Sequence, residues 1–232
     1  MVNRQKGLEF DGRTLFPAHF VRDTPHLDNL DVAPVNNHVG VSALAITSDR
    51  YLGVWQQGHL NIQDPGKIVA TGSGSADYAD LDTTSLRNSV IRGMQRELRE
   101  EGLRRGVDEQ VAFSGQTTII AFFRWLDRGG KPEFVGLTRL GVSRADVYPD
   151  HREVFEVRKK RSARPLAHWF RLPTLDQIPE VLREIRALEP QGARLFLPLK
   201  VILYRMEALA KLKPDVLADA LYGDARLAHD DA

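Results

Sequence analysis

The chain has 232 residues, and its 32 Lys+Arg against 31 Asp+Glu leave a formal net charge of +1, so no global field argues for nucleic acid or an anionic membrane as partner. It contains no cysteine, which excludes disulfides, thiolate metal sites and a thiol nucleophile and fits a reducing compartment. No apolar run approaches a membrane span and the N-terminus lacks a signal-peptide core, so a cytoplasmic protein is expected.

Residues 1–36 are polar and turn-rich, with Pro17, Pro25 and Pro34 separating short apolar pieces, and read as an arm lying against the domain. His26 and His38 lack a second histidine at ligand spacing and read as loop residues. Strand signals begin at Asn37. His38 to Thr47 is a β-rich apolar run, the turn Ser48-Asp49-Arg50 follows, and Tyr51 to Gln57 returns as a hairpin partner. Lys67 to Thr71 is a further short strand. It runs into Gly72-Ser73-Gly74-Ser75, a loop whose glycines let the backbone turn sharply and approach a ligand. No Gly-Lys-Ser/Thr follows, so this is not a P-loop.

Asp80 to Ser85 supplies helix-capping residues, with Thr84 or Ser85 as N-cap, and a helix is predicted from about Leu86 to Leu103. Its apolar stripe is Leu86, Val90 and Met94. Gly93 inside it costs up to about 1 kcal/mol relative to alanine and suggests a close backbone approach, with the Gly72–Ser75 loop as the neighbour. Glu97, Glu100 and Glu101 fall at i, i+3 and i+4, so their carboxylates share one arc of the helix. Clustered hard oxygen ligands suit Mg²⁺ or Mn²⁺. The same spacing also describes a solvated helix whose glutamates are neutralised by Arg96, Arg99, Arg104 and Arg105.

After the helix, Thr117 to Leu126 is long and apolar enough for a central strand, and it turns at Asp127–Gly130 into Pro132 to Leu140. Residues 142–164 read as a polar loop or short helix carrying Asp146, Asp150, Glu153 and Glu156, then Arg158-Lys159-Lys160-Arg161. Leu166 to Leu172 reads as the last strand. The remainder is helical, over Leu175–Leu188 and Phe196–Leu212, and the stripe Leu199, Ile202, Leu203, Met206 and Leu209 reads as core or homodimer contact. The tail after Gly223 is polar. Hairpins around one long helix, followed by more strands and helices, predict an α/β sandwich.

Arg96-Glu97-Leu98-Arg99-Glu100-Glu101, with Gly102-Leu103 after it, resembles the helix of the Nudix box, whose pattern reads R-E-U-x-E-E-x-G-U with U aliphatic. The chain departs from it in three places: Glu101 runs directly into Gly102, the family's earlier glutamate falls on Asn88, and its leading glycine falls on Asp82. The resemblance covers roughly residues 37–190. It implies a Nudix-type α/β/α sandwich with a mixed sheet, flanked by the arm at 1–36 and a helical extension at 191–232.

The activity that the resemblance implies is metal-dependent hydrolysis of a nucleoside diphosphate linked to another group, cut at the pyrophosphate. Glu97, Glu100 and Glu101 would hold Mg²⁺ or Mn²⁺ and carry the catalysis, and Gly72 and Gly74 would take the place of the substrate-binding glycine loop. Glu153 or Glu156 would be a further acid from a later loop. Arg96 is expected to anchor the helix, pointing about 100° away from Glu97 on the helical wheel. The competing expectations are a Nudix-like nucleotide sensor without turnover, for which Asn88 argues, and a structural protein in which the acids are incidental. No basic recognition helix stands in residues 174–232, so no nucleic acid is expected as partner.

Overall fold

The structure, a computed structural model, describes residues 38–57, 66–128, 130–149, 167–189 and 194–223. Strand β1 (Gly40–Ile46) is buried at every position. A strand reads as an unbroken apolar run when both of its faces are covered. The core divides accordingly: Val41, Ala43 and Ala45 enter one apolar cluster, Leu44 and Ile46 the other. The predicted turn, with Arg50 at φ 65, returns the chain into β2 (Tyr51–Gln56), antiparallel with Ile46 opposite Leu52.

Strand β3 (Lys67–Val69) pairs with β2, placing Val69 opposite Trp55. The Gly-Ser stretch, expected as a loop, is instead a strand, β4 (Gly72–Ser75). It runs antiparallel to the first half of β1, from Gly40 opposite Ser75 to Ala43 opposite Gly72. Local strand preference does not explain this, since glycine is depleted in strands. What does is that the N-terminal half of β1 needs partners for its buried backbone groups on that side.

β1 therefore changes partner along one edge, from β4 to β2, and Thr71 fills the fork. Its hydroxyl accepts from the Ala45 amide and donates to the Gly53 carbonyl, while its own carbonyl accepts from Trp55 Nε1 at 2.7 Å.

Helix α1 (Leu86–Gly102) and the single-turn α2 (Glu109–Ala112) lead into β5 (Thr117–Trp125), which pairs antiparallel with β6 (Lys131–Arg139) across a bulge between Ile119 and Ala121. β6 lies parallel to β1 over its whole length, Gly40 opposite Glu133 through Ile46 opposite Arg139. β7 (Ala167–Arg171) covers β2, and the short β8 (Arg194–Leu195), not foreseen from sequence, runs parallel to β3. The described sheet is thus mixed and eight-stranded, in the order β5-β6-β1-β2-β3-β8 with β4 on β1 and β7 on β2.

On one face α1 buries Val90, Met94 and Leu98 against β1, β3 and Trp55. Leu86, expected in that stripe, is 65% exposed, because the helix meets the sheet only from its second turn. On the other face lie α3 (Ile178–Arg186), α4 (Leu197–Leu212) and α5 (Pro214–Tyr222). The predicted helix over 175–188 is broken into a 3-10 turn, Leu175–Gln177, and α3, which carries Pro179 in its first turn. Leu199, Ile202, Leu203, Met206 and Leu209 of α4 fill the core of this chain together with Leu44, Val54 and Leu137. The result is an α/β/α sandwich. Among the described residues no helix is long and apolar enough to cross a membrane.

Candidate functional site

The site forms where β4 crosses α1. Ser85 caps the helix, its hydroxyl accepting from the Asn88 amide at 3.2 Å. The buried stripe of Val90, Met94 and Leu98 then fixes the rotation of the helix on the sheet, and that rotation decides where the glutamates go.

Two glycines of β4 face the helix. A Cβ on Gly72 would lie 2.6 Å from the Leu98 backbone nitrogen, and one on Gly74 would overlap the Glu97 carboxylate. The strand thus passes at backbone contact over the acidic turn, and side chains at either position would lift it away. The close approach expected at Gly93 exists but has different partners. Gly93 faces Val41 of β1 and the Asp80 carboxylate, whose Oδ2 would lie 3.2 Å from an added Cβ, and Gly102 is the position that faces the Thr71 carbonyl.

The three glutamates of the arc sit in three environments. Glu97 is buried, its side chain 11% exposed, and it accepts from Arg96 Nη1 at 2.9 Å. Burial pushes its carboxyl above the usual range, against the opposing effects of Arg96 and of the Ser75 amide. Glu100 is exposed and pairs with the same Arg96 nitrogen at 3.1 Å and with Arg99 at 3.4 Å. Glu101 accepts from the Ser73 amide at 2.7 Å, tying the end of the helix to β4.

Arg96 was expected to turn away from this arc, yet its long side chain folds back across it. Nη1 reaches both Glu97 and Glu100, while Nε and Nη2 bond Asp80 at 3.1–3.3 Å and Nη2 also donates to the Ser75 carbonyl at 2.7 Å. The hydrogen bond to Asp80 is the foremost reason the guanidinium is held even more firmly protonated than usual. Repulsion within the acidic arc is therefore compensated by two arginines.

Asp80 is the residue that reading the sequence passed over as one helix-capping group among several. It closes a 3-10 turn, Tyr78–Asp80, in which Asp77 and Asp80 cap each other, and it is 4% exposed. The spacing Asp77-x-x-Asp80 was the available signal. The positions aligned with the family's glycine and earlier glutamate bond one another: Asn88 Nδ2 donates to Asp82 Oδ2 at 3.2 Å. Hydrogen bonds from Thr84 and then Asn88 pull the Asp82 carboxyl down to about 2. Glu153, Glu156 and the basic run 158–161 lie outside the described residues, as does the arm at 1–36.

Among the described residues no three acidic or histidine side chains are gathered at metal-ligand spacing, and Glu101 is turned toward the Ser73 amide. The donor chemistry nevertheless suits a hard divalent cation. Glu97 Oε1 and Glu100 Oε2 converge on one cationic nitrogen, so the arc already presents two carboxylate oxygens to a single positive charge.

Neither a protein-family model nor a curated protein sequence matches the chain. Solved structures do resemble it at low identity. A Nudix hydrolase from Alicyclobacillus acidocaldarius is 14% identical, with a TM-score of 0.48 over 79% of this chain and 96% of that one. A MutT protein from Methanosarcina mazei, also 14% identical, has a TM-score of 0.45 over 77% of this chain and 98% of its own. An Ap4A hydrolase from C. elegans is 13% identical, with a TM-score of 0.37 over 74% of this chain and 96% of its own.

Proposed function

We propose that this protein is a Nudix-type pyrophosphohydrolase that cleaves a nucleoside diphosphate linked to another group, with Mg²⁺ or Mn²⁺ as cofactor. The observation that carries the reading is the convergence of Glu97 and Glu100 on one positive charge beneath a strand stripped of side chains at Gly72 and Gly74. A divalent cation bound to the glutamates would neutralise phosphate oxygens and acidify the attacking water.

The chain's own residues supply the rest. Gly72 and Gly74 let the backbone of β4 lie directly against the acidic turn, so that its amides reach the glutamates with no side chain between. Arg96 and the Ser75 amide hold Glu97 in place, so its charge need not reorganise as the reaction proceeds. Glu100 is open to solvent, which supports giving it the role of orienting a water and accepting its proton. The water oxygen bonds to one phosphorus as the bridging oxygen departs with its electron pair on the other phosphate. Glu153 and Glu156 stay candidates for a further acid.

The test is a panel of nucleoside diphosphate derivatives, incubated with Mg²⁺ and with Mn²⁺, each sample read once for thermal shift and once for products. Cleavage between phosphorus atoms by wild type, lost a hundredfold or more in Glu100→Gln, is the expected result. Binding without turnover across the panel would overturn hydrolysis and leave a nucleotide sensor, a reading favoured by the asparagine at position 88.

A further inference from the structure

Every donor of the Arg96 guanidinium is occupied, and the allocation is uneven. A guanidinium has five N–H donors in a rigid fork. The edge formed by Nε and Nη2 is spent on Asp80 and the Ser75 carbonyl, leaving Nη1 alone for the acidic arc. Nη1 touches one oxygen each of Glu97 and Glu100, so Arg96 takes only one oxygen from either carboxylate.

Asp80 is built for this task from three sides. Its Oδ2 accepts from the Asp77 amide at 2.8 Å, the turn buries it, and the missing side chain at Gly93 leaves the space its Oδ2 occupies.

We propose that Asp80 is a positioning residue for the cation site: it engages the forked edge of Arg96 and so keeps that edge off Glu97 and Glu100. The proposal rests on the metal-dependent reading above. Without Asp80 the fork is free to rotate onto one glutamate as a two-bonded pair, the strongest geometry available to arginine and carboxylate. A divalent cation would then have to displace two charge-assisted hydrogen bonds to gain a ligand. Asp80 also supplies a carboxylate within the chain's own helix entry, where the aligned position, Asn88, has none and bonds Asp82 instead.

The experiment measures Mn²⁺ affinity by electron paramagnetic resonance of free Mn²⁺, with no substrate present. Asp80→Asn keeps an oxygen for the Asp77 amide and should weaken Mn²⁺ binding about tenfold, the low end for an outer-shell partner. In an Arg96→Gln background the same change should alter affinity less than about twofold, because the fork that Asp80 restrains is gone. A merely structural role would give the same loss in both backgrounds, and that result overturns the proposal, as does wild-type affinity in Asp80→Asn.

Arg96→Lys is the second variant, should Asp80→Asn fail to fold. A lysine head has no fork to turn onto a glutamate, so Mn²⁺ affinity should stay within about twofold of wild type, and a tenfold loss overturns the idea. Absence of Mn²⁺ binding by wild type would remove the proposed function and this inference together, whereas Mn²⁺ binding unchanged in Asp80→Asn, or lost in Arg96→Lys, would remove the inference alone.

Discussion

Two glycines two positions apart, Gly72 and Gly74, should respond differently to the same mutation, one in stability and one in site chemistry. In Gly72→Ala the new Cβ would lie 2.6 Å from the Leu98 backbone nitrogen and 2.8 Å from its Cα. Ordinary contact begins at 3.4 Å, so strand and helix must separate by about 0.8 Å. Neither can yield cheaply, because Gly72 is paired to Ala43 in the sheet and Leu98 is 1% exposed in the core. Overpacking of this kind costs about 1–3 kcal/mol, and the loss of unfolded-state freedom on replacing glycine returns about 0.4–1 kcal/mol. Because neither element yields, the upper part of that cost, about 2–3 kcal/mol, applies, and the net loss is about 1–2.6 kcal/mol, or roughly 2–10 °C in melting temperature for a chain of this size.

In Gly74→Ala the clash is with the Glu97 carboxylate, the free end of a side chain that can turn aside. Its stability cost should stay under about 1 kcal/mol, while Glu97 leaves the Arg96 and Ser75 contacts that hold it. Urea unfolding followed by tryptophan fluorescence gives the first quantity, and Mn²⁺ binding by relaxation enhancement gives the second. The reasoning is refuted if Gly72→Ala falls within 0.5 kcal/mol of wild type, or if Gly74→Ala destabilises more and leaves Mn²⁺ binding intact.

Two further outcomes are expected. Glu97→Gln should stabilise the metal-free protein at neutral pH, because burial raises the Glu97 carboxyl above its ordinary 4.5. Below pH 4.5 the carboxyl is protonated whether folded or unfolded, so the two proteins should match there; wild type then loses ground as pH rises from 4.5 through the raised folded value, which melts between pH 4 and 8 would show. A less stable Glu97→Gln at pH 7 would mean that the Arg96 pair outweighs burial. Thr71→Val should cost about 2–5 kcal/mol by leaving the Ala45 amide and Gly53 carbonyl without their buried partner, whereas Thr71→Ser should stay within about 1 kcal/mol, both read by urea titration. Equal stability of the two variants would show that another group satisfies the fork between β4 and β2.

How much of this was legible beforehand depended on the range of the interaction involved. The unbroken apolar run at β1 identified a strand covered on both faces, because burial on each side leaves a direct mark on composition. The helix from Leu86 was readable from its capping serine and its period, and so was the shared arc of Glu97, Glu100 and Glu101, since i, i+3 and i+4 geometry needs no neighbour. Arg96 does anchor the helix, to Asp80 and the Ser75 carbonyl, but its expected direction away from the arc failed for a related reason: the helical wheel places a Cβ, not the end of a long side chain with its own choice of partners.

The sequence by itself determined the elements built from local periodicity: the strands with apolar runs, the acidic helix and the stripe of α4 that enters the core. Tertiary structure alone decided that Gly72–Ser75 is a strand, since glycine and serine have little strand preference and gain it from the unpaired edge of β1. It also decided that Asp80 holds Arg96 across 16 residues, and that Gly93 leaves room for that carboxylate while Gly72 and Gly74 leave room for the helix. Contacts of this kind depend on register between elements, and a one-residue slip of β4 would turn Ser73 and Ser75 toward the glutamates while leaving its composition unchanged.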